Sequence, residues 1–228
     1  KSGILELPYF PSFESMLAYC FEHYGRIAGD LFNSVTLYLQ GVFIGGVLGF
    51  LWGSAMGYSK HANYWLNPII KIIGPVPGVA WVTISLVLAP SNHFAALIVI
   101  ASTTWFPLSV NLAGGIRSVS RASIERAQTL GASNWYIIRH VVYPAAAPSI
   151  FTGLFMAFCF SLTSLVTAEV MGVSGGLGWR ISWAQSYMAY DIIYTIAIIF
   201  IAMAFVLITI LFVIQRHTMS WSKEVVQW

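Results

Sequence analysis

The sequence predicts an all-α, polytopic helical membrane protein, and three observations carry this prediction. Of 228 residues, 58% are hydrophobic and only 8% are charged, whereas a soluble domain carries roughly 25% charged residues. The mean hydropathy is +0.77. The apolar runs are longer and more continuous than barrel strands, and a bilayer core accepts only helices or closed barrels. We therefore expect a single helical bundle in a lipid bilayer.

The distribution of charge predicts the orientation. Residues 1–30 carry two basic against four acidic residues, whereas residues 117–139 carry four arginines against one acid. Loops rich in Lys and Arg stay in the cytoplasm, so the first region lies outside and the second inside. Arg216 and His217 follow the last apolar run, which places the tail at 217–228 and the C-terminus in the cytoplasm.

Residues 1–30 are expected to form an outer interfacial segment. Apolar side chains at helical spacing predict a helix lying along the membrane surface, or else an ordinary loop; they are Phe13, Met16, Leu17 and Phe21. Membrane spans follow at residues 31–56, 94–113, 149–171 and 192–214. Residues 79–89 are too short to cross alone, so we expect them to form a broken crossing with a short helix at 64–73.

The count of five crossings leads to one further expectation. It places the N-terminus outside and the C-terminus inside, and the chain opens on Lys1. Because an outside start without a signal is awkward, we expect a sixth helix upstream in the natural protein.

Glycines at intervals of four mark the first span, and they are Gly41, Gly45, Gly49, Gly53 and Gly57. This spacing places them along one helix face, where another helix can approach closely. The sequence predicts a packing ridge.

Residues 119–148 form the longest polar interval. A helix is predicted over 121–130, and Gly131 suits the left-handed position that ends a helix. Ser133 is placed to cap a second helix that begins at Asn134 and must end before Pro144. The bend between the helices would expose Glu125 and Gln128 to the cytoplasm.

The spacing of residues in this interval resembles the EAA signature of ABC importer permeases, EAA-x3-G-x9-I-x-L-P. Glu125, Ala127, Gly131 and Pro144 match it, while Arg126, Val141 and Tyr143 depart from it. The resemblance is closest to permeases for nitrate, sulfonates and taurine. It also rests on Pro75-Val76-Pro77, Ala80-Trp81, residues 127–133, Ala168-Glu169 and Gly176-Leu177-Gly178.

The resemblance implies a type I ABC importer transmembrane domain over residues 31–216, with coupling helices at about 119–143. In such importers the bent helix inserts into a groove of a separate ATPase, which moves the membrane helices. The implied coupling residues are Arg121, Glu125, Ala127, Gln128, Gly131, Ala132, Ser133 and Pro144. Ala127 would allow close approach, Gly131 would set the angle of the bend, and Glu125 would pair with a basic group of the ATPase.

The resemblance also implies the partners. They are a second permease copy, in a homodimer, two ATP-binding subunits carrying ATP and Mg, and an extracytoplasmic solute-binding protein, in a bacterial cytoplasmic (inner) membrane. No G-x4-G-K-[ST] loop occurs in this chain, so it is not expected to be an enzyme. The solute would be a small anion. The alternatives are a stand-alone secondary transporter or channel, and a structural scaffold.

Polar side chains within apolar spans are candidates for lining a solute pathway, namely Ser102, Thr103, Ser161, Ser164, Thr167 and Glu169. Ser and Thr can instead bond to carbonyls one turn back. Glu169 can instead be solvated at the interface or paired with Arg180. His93 and His140 stand apart from other metal-ligand residues, so no metal is expected. The basic residues follow the loops, so nucleic acid is not expected either.

Overall fold

A computed structural model describes residues 11–219, and within that range the chain is a succession of helices. Residues 1–10 of the outer segment and 220–228 of the tail lie outside the described residues. The helices are α1 (Phe13–Glu22), α2 (Tyr24–Tyr58), α3 (Lys60–Ile73), α4 (Gly78–Leu88), α5 (Asn92–Ser118), α6 (Arg121–Thr129), α7 (Asn134–Ile137), α8 (Tyr143–Met171), α9 (Leu177–Ser186) and α10 (Tyr190–Thr218). A π-helical turn, Ile138–Val142, joins α7 to α8.

Four helical stretches in the described chain are long and apolar enough to cross a membrane: Tyr24–Tyr58, Asn92–Ser118, Asn134–Met171 and Tyr190–Thr218. Helices α3 and α4 pass the same test together but meet at an angle of 98°. If the bent pair is one crossing, the spans number five. The four long helices confirm the four predicted continuous spans, and the bent pair lies where the broken crossing was predicted.

The first span begins earlier than predicted, at Tyr24 instead of residue 31. The described part of the outer segment contains α1, whose first turn is capped by Ser12 through the Ser15 N–H, and the first residues of α2. In this early part of α2, Asp30 is buried and paired with Arg180, whereas Arg26 is exposed.

The described residues divide into two compact units. The first contains the chain up to Gly41 together with Pro77–Ile100 and Ser161–Ile208, and the second contains Val42–Val76, Ala101–Phe160 and the chain from Thr209. The boundary falls within α2, α5, α8 and α10 and in the loop between α3 and α4.

In both units the glycine face of α2 contacts α5. In the first unit, a Cβ atom added to Gly41 would lie 2.6 Å from Ile100 Cβ. In the second, an added Cβ would meet Thr104 at Gly45, Leu108 at Gly49, Leu112 at Gly53 and Ile116 at Gly57, at 2.7 to 3.1 Å. Two backbones approach this closely only when the side chain is absent.

The contact between α2 and α5 in the second unit is completed by polar groups. The Arg117 guanidinium donates to the Met56 carbonyl near the end of α2, which gives a partner to a carbonyl that the helix itself leaves free. The Ser109 hydroxyl lies 2.8 Å from the Trp105 carbonyl and 3.3 Å from that of Gly49. Arg117 was counted above as a loop charge, and it is also a helix cap.

Two neighbouring glycines of α2 give a matched test of this packing. Gly45→Ala is expected to destabilise the protein by about 1–3 kcal/mol, because its Cβ collides with α5. An alanine Cβ at Gly46 meets nothing within 4 Å, so Gly46→Ala is expected to be neutral, or stabilising by up to about 1 kcal/mol through helix propensity. Thermal unfolding of both variants in detergent checks this. Equal losses of stability would contradict the close packing.

Candidate functional site

The bend after α6 has the geometry of a Schellman motif. Gly131 has a φ of +79°, a conformation that favours glycine. Its N–H donates to the Gln128 carbonyl at 2.9 Å, and the Ala132 N–H donates to the Ala127 carbonyl at 3.0 Å. This pair of bonds is how a left-handed residue ends a helix. The predicted stop at Gly131 is confirmed.

The second helix begins as predicted but does not end as predicted. Ser133 accepts a hydrogen bond from the Tyr136 N–H at 3.3 Å, which confirms the N-cap. The helix does not stop before Pro144, however, because a π-helical turn leads directly into α8 at Tyr143. The Tyr143 N–H donates to Ile138, five residues back. The π-helical turn lies just before Pro144, and the helix continues through this proline.

One face of α6 packs against the chain itself. Ile124, Ala127 and Ala132 contact a buried cluster formed by Leu112, Ile116, Ile137, Val142 and Ala146. Ala127 therefore faces the core of the second unit. Its small side chain allows α6 to approach its own protein closely, and the close approach to a partner that the resemblance implied stays a prediction.

The opposite face of α6 and the bend are exposed. Arg121, Glu125, Gln128, Gly131 and Ser133 all lie here and are exposed. Two large apolar side chains, which the sequence analysis missed, lie among them: Leu130 is 87% exposed and Trp135 is 70% exposed. Leu130 lies three residues after Ala127, a spacing typical of one helix face, and Trp135 follows the bend in α7, so helical spacing alone could not identify them as exposed.

Tyr143, which departs from the signature, ties α8 to α2 within the second unit. Its hydroxyl lies 3.0 Å from Ser54 Oγ. Its ring stacks on Phe50 at 5.4 Å between centroids and meets the edge of Tyr58 at 6.0 Å. A leucine would supply neither the hydrogen bond nor the ring contacts.

The pathway candidates lie mostly inside the chain. Ser161 and Ser164 are buried, and the Ser161 hydroxyl lies 3.2 Å from that of Tyr38. The Thr167 hydroxyl donates to the Thr163 carbonyl. Ser102 and Thr103 are half-buried and have partners. In this conformation these contacts favour packing, and pathway lining stays a prediction.

Glu169 has neither of the alternative environments given above. It is 1% exposed, and its carboxylate accepts hydrogen bonds from Ser34 Oγ at 2.6 Å and from the Gly178 N–H at 2.7 Å. Arg180 pairs with Asp30 instead. The expectation of a solvated or Arg180-paired carboxylate was wrong, because Ser34 of α2 and the Gly178 N–H of α9 donate to the Glu169 carboxylate and Asp30 pairs with Arg180. Within residues 11–219, no group of His, Cys, Asp and Glu could hold a metal ion.

Residues 45–220 match the family described as the binding-protein-dependent transport system inner membrane component, and the chain belongs to this family. It is 29% identical to the taurine transport system permease protein TauC of Escherichia coli strain K12 over 84% of this chain and 70% of that protein. It is 34% identical to the bicarbonate transport system permease protein CmpB of Synechococcus elongatus over 82% of this chain and 68% of that protein.

The fold is also found in a solved structure of an amino acid ABC transporter crystallised with histidines. The TM-score is 0.73 at 19% sequence identity, over 91% of this chain and 99% of that chain. The chain is therefore an ABC importer permease subunit for a small solute with the type I transmembrane fold, as the signature predicted.

The contact between Tyr143 and Ser54 predicts a measurable coupling. Tyr143→Phe and Ser54→Ala are each expected to cost about 1 kcal/mol of unfolding free energy, since each removes the same hydrogen bond. The double variant should cost little more than either single variant. Thermal unfolding in detergent measures this cycle, with Tyr64→Phe on an exposed ring as the control. Fully additive losses would refute the contact.

Proposed function

We propose that this chain couples ATP hydrolysis in a partner subunit to alternating access of a solute pathway. The observation that carries the proposal is the exposed bend around Gly131, with Leu130 and Trp135 at its surface. Exposed apolar side chains on a charged, cytoplasm-facing segment are suited to a protein groove, because aromatic and large apolar anchors contribute most of the energy of such interfaces. Glu125, Arg121 and Arg126 are also exposed on the same segment, and such charges would select the register of docking.

Within the second unit, contacts connect the bend to the membrane helices. The inward face of α6 packs on Leu112 and Ile116 of α5. The π-helical turn makes α7 continuous with α8, and Tyr143 connects the start of α8 to Ser54 of α2. A displacement of the bend is thus passed to three membrane helices. Two-state elements joined by packed side chains are the physical requirement for such coupling.

The proposed assembly contains two copies of this chain and two ATP-binding subunits that hold ATP and Mg. An extracytoplasmic solute-binding protein delivers the solute. The assembly lies in a bacterial cytoplasmic membrane with the C-terminus of this chain inside. The similarity to taurine and bicarbonate permeases supports a small anion as the solute.

A stand-alone secondary transporter is the alternative. Such a transporter needs a series of titratable groups along its pathway. The one carboxylate that the sequence analysis found in the α8 span, Glu169, is held by Ser34 and Gly178. That arrangement favours a structural role for Glu169 and supports the importer.

A matched pair of variants tests docking of the ATP-binding subunit. Leu130→Ala removes the apolar side chain at the bend and is expected to lower the affinity for that subunit about tenfold or more, as for a hot-spot residue. Val87→Ala is the control, because Val87 is 81% exposed but lies in α4, away from the bend in the chain. Co-purification and binding titration with the ATP-binding subunit measure both variants. Equal affinities for Leu130→Ala and the parent protein would contradict docking at the bend.

A further inference from the structure

Two sequence features of the resemblance, Glu169 and the Gly176-Leu177-Gly178 string, have no part in the coupling segment. In the structure they form one cluster with Ser34 in the first unit. Ser34 and Glu169 are both buried, and they belong to α2 and α8, whereas the glycines begin α9. Three helices therefore meet at a single carboxylate.

This cluster gives α9 the N-cap that its own sequence lacks. The N-cap residue is Gly176, which has no side chain to accept from the first free N–H groups of the helix. The Leu177 N–H donates to Ser34 Oγ at 2.8 Å, and the Gly178 N–H donates to Glu169 Oε2 at 2.7 Å. The Ser34 hydroxyl in turn donates to Glu169 Oε1 at 2.6 Å. A carboxylate is also the charge that a helix N-terminus favours.

The glycines leave the space that this cap occupies. Gly176 has a φ of +104°, and an added Cβ would lie 2.6 Å from Glu169 Cδ. At Gly178 an added Cβ would lie 2.9 Å from Glu169 Cβ. A side chain at either glycine would therefore collide with Glu169.

An ion pair ties α9 to α2 a second time. Arg180, in the first turn of α9, pairs with Asp30 of α2. Although partial burial lowers the pKa of the Arg180 guanidinium, its hydrogen bond to Asp30 and the Asp30 charge outweigh that effect and raise the pKa. The guanidinium thus stays charged. The ion pair holds α9 against α2 in addition to the N-cap.

We propose that Glu169 is a positioning residue that caps α9 from α8 and α2, so that the three helices move as one body in this unit during transport. The proposal rests on the transport function given above. Because the chain's own carboxylate occupies the α9 N-terminus, a solute anion does not bind there. Glu169 then takes part in transport by holding α9, and it does not contact the solute.

The first test compares two substitutions of the glutamate in the permease assembled with its ATP-binding subunit. Glu169→Ala leaves the Gly178 N–H and the Ser34 hydroxyl without their partner, and the ATP-driven uptake rate is expected to fall about tenfold. Glu169→Gln keeps an acceptor for Gly178 and is expected to restore most of the uptake. The ATP-binding subunit should co-purify with both variants, since the residues around Gly131 are unchanged. Uptake by Glu169→Ala at the parent rate would overturn the proposal.

The second test uses two adjacent glycines that both have positive φ. Gly176→Ala places a methyl group against the Glu169 carboxylate, whereas an added Cβ at Gly175, with a φ of +144°, has only Asn33 Nδ2 within 4 Å, at 3.5 Å. Both variants carry backbone strain, so the excess loss of uptake in Gly176→Ala measures the collision. That excess should disappear in a Glu169→Ala background. Equal effects of the two glycine variants would refute the cap.

The third test examines whether α9 moves with α2. Asp30→Cys and Arg180→Cys are introduced together in a background without Cys20 and Cys159, and are joined by a short bifunctional thiol reagent. The linked permease is expected to keep the ATP-driven uptake of the unlinked one. Loss of uptake on linking, reversed by cleavage of the linker, would show that α9 separates from α2 and would overturn the proposal. Absence of ATP-driven uptake in the unmodified parent would instead contradict the proposed transport function.

Discussion

A polar backbone group without a hydrogen-bond partner costs several kcal/mol in hydrocarbon, and this constraint acts most strongly where a helix ends. In this chain, side chains from elsewhere in the protein pair with the backbone groups at helix ends. Arg117 donates to a carbonyl near the end of α2, and Ser34 with Glu169 accepts from the start of α9. Each capping side chain belongs to a helix other than the one that it caps. The groups that satisfy the backbone therefore also fix how the helices are joined.

The coupling segment lies in the predicted cytoplasmic region, and it satisfies the ends of its helices with groups of its own. Gly131 closes α6 by a Schellman motif and Ser133 opens α7. With both ends satisfied inside the segment, its two faces are free for different purposes. Ile124 and Ala127 face the protein's own core, and Leu130 faces outward. A rigid bend with an apolar anchor on its outer side is the mechanical feature that the proposed coupling requires.

The local features of the fold were readable from the sequence, because they depend on neighbours in the chain. The stop at Gly131, the cap at Ser133 and the broken crossing around residues 74–78 are of this kind. The environment of Glu169 was not readable, since Ser34 lies 135 residues away in the chain. Pro144 was assigned as a helix stop by a local rule, but α8 continues through it, as α5 continues through Pro107. The hydrogen bond of Tyr143 to Ser54 also joins distant positions, so the signature could only register Tyr143 as a departure.

Solute uptake into sealed vesicles tests the central claim most directly. Vesicles that contain this chain alone are compared with vesicles that also contain its ATP-binding subunit, with ATP on the side of the coupling segment and the solute-binding protein on the other side. Uptake is expected only when both proteins and ATP are present. Uptake of the same solute by this chain alone, at the same rate with and without ATP, would contradict the account and identify a stand-alone transporter.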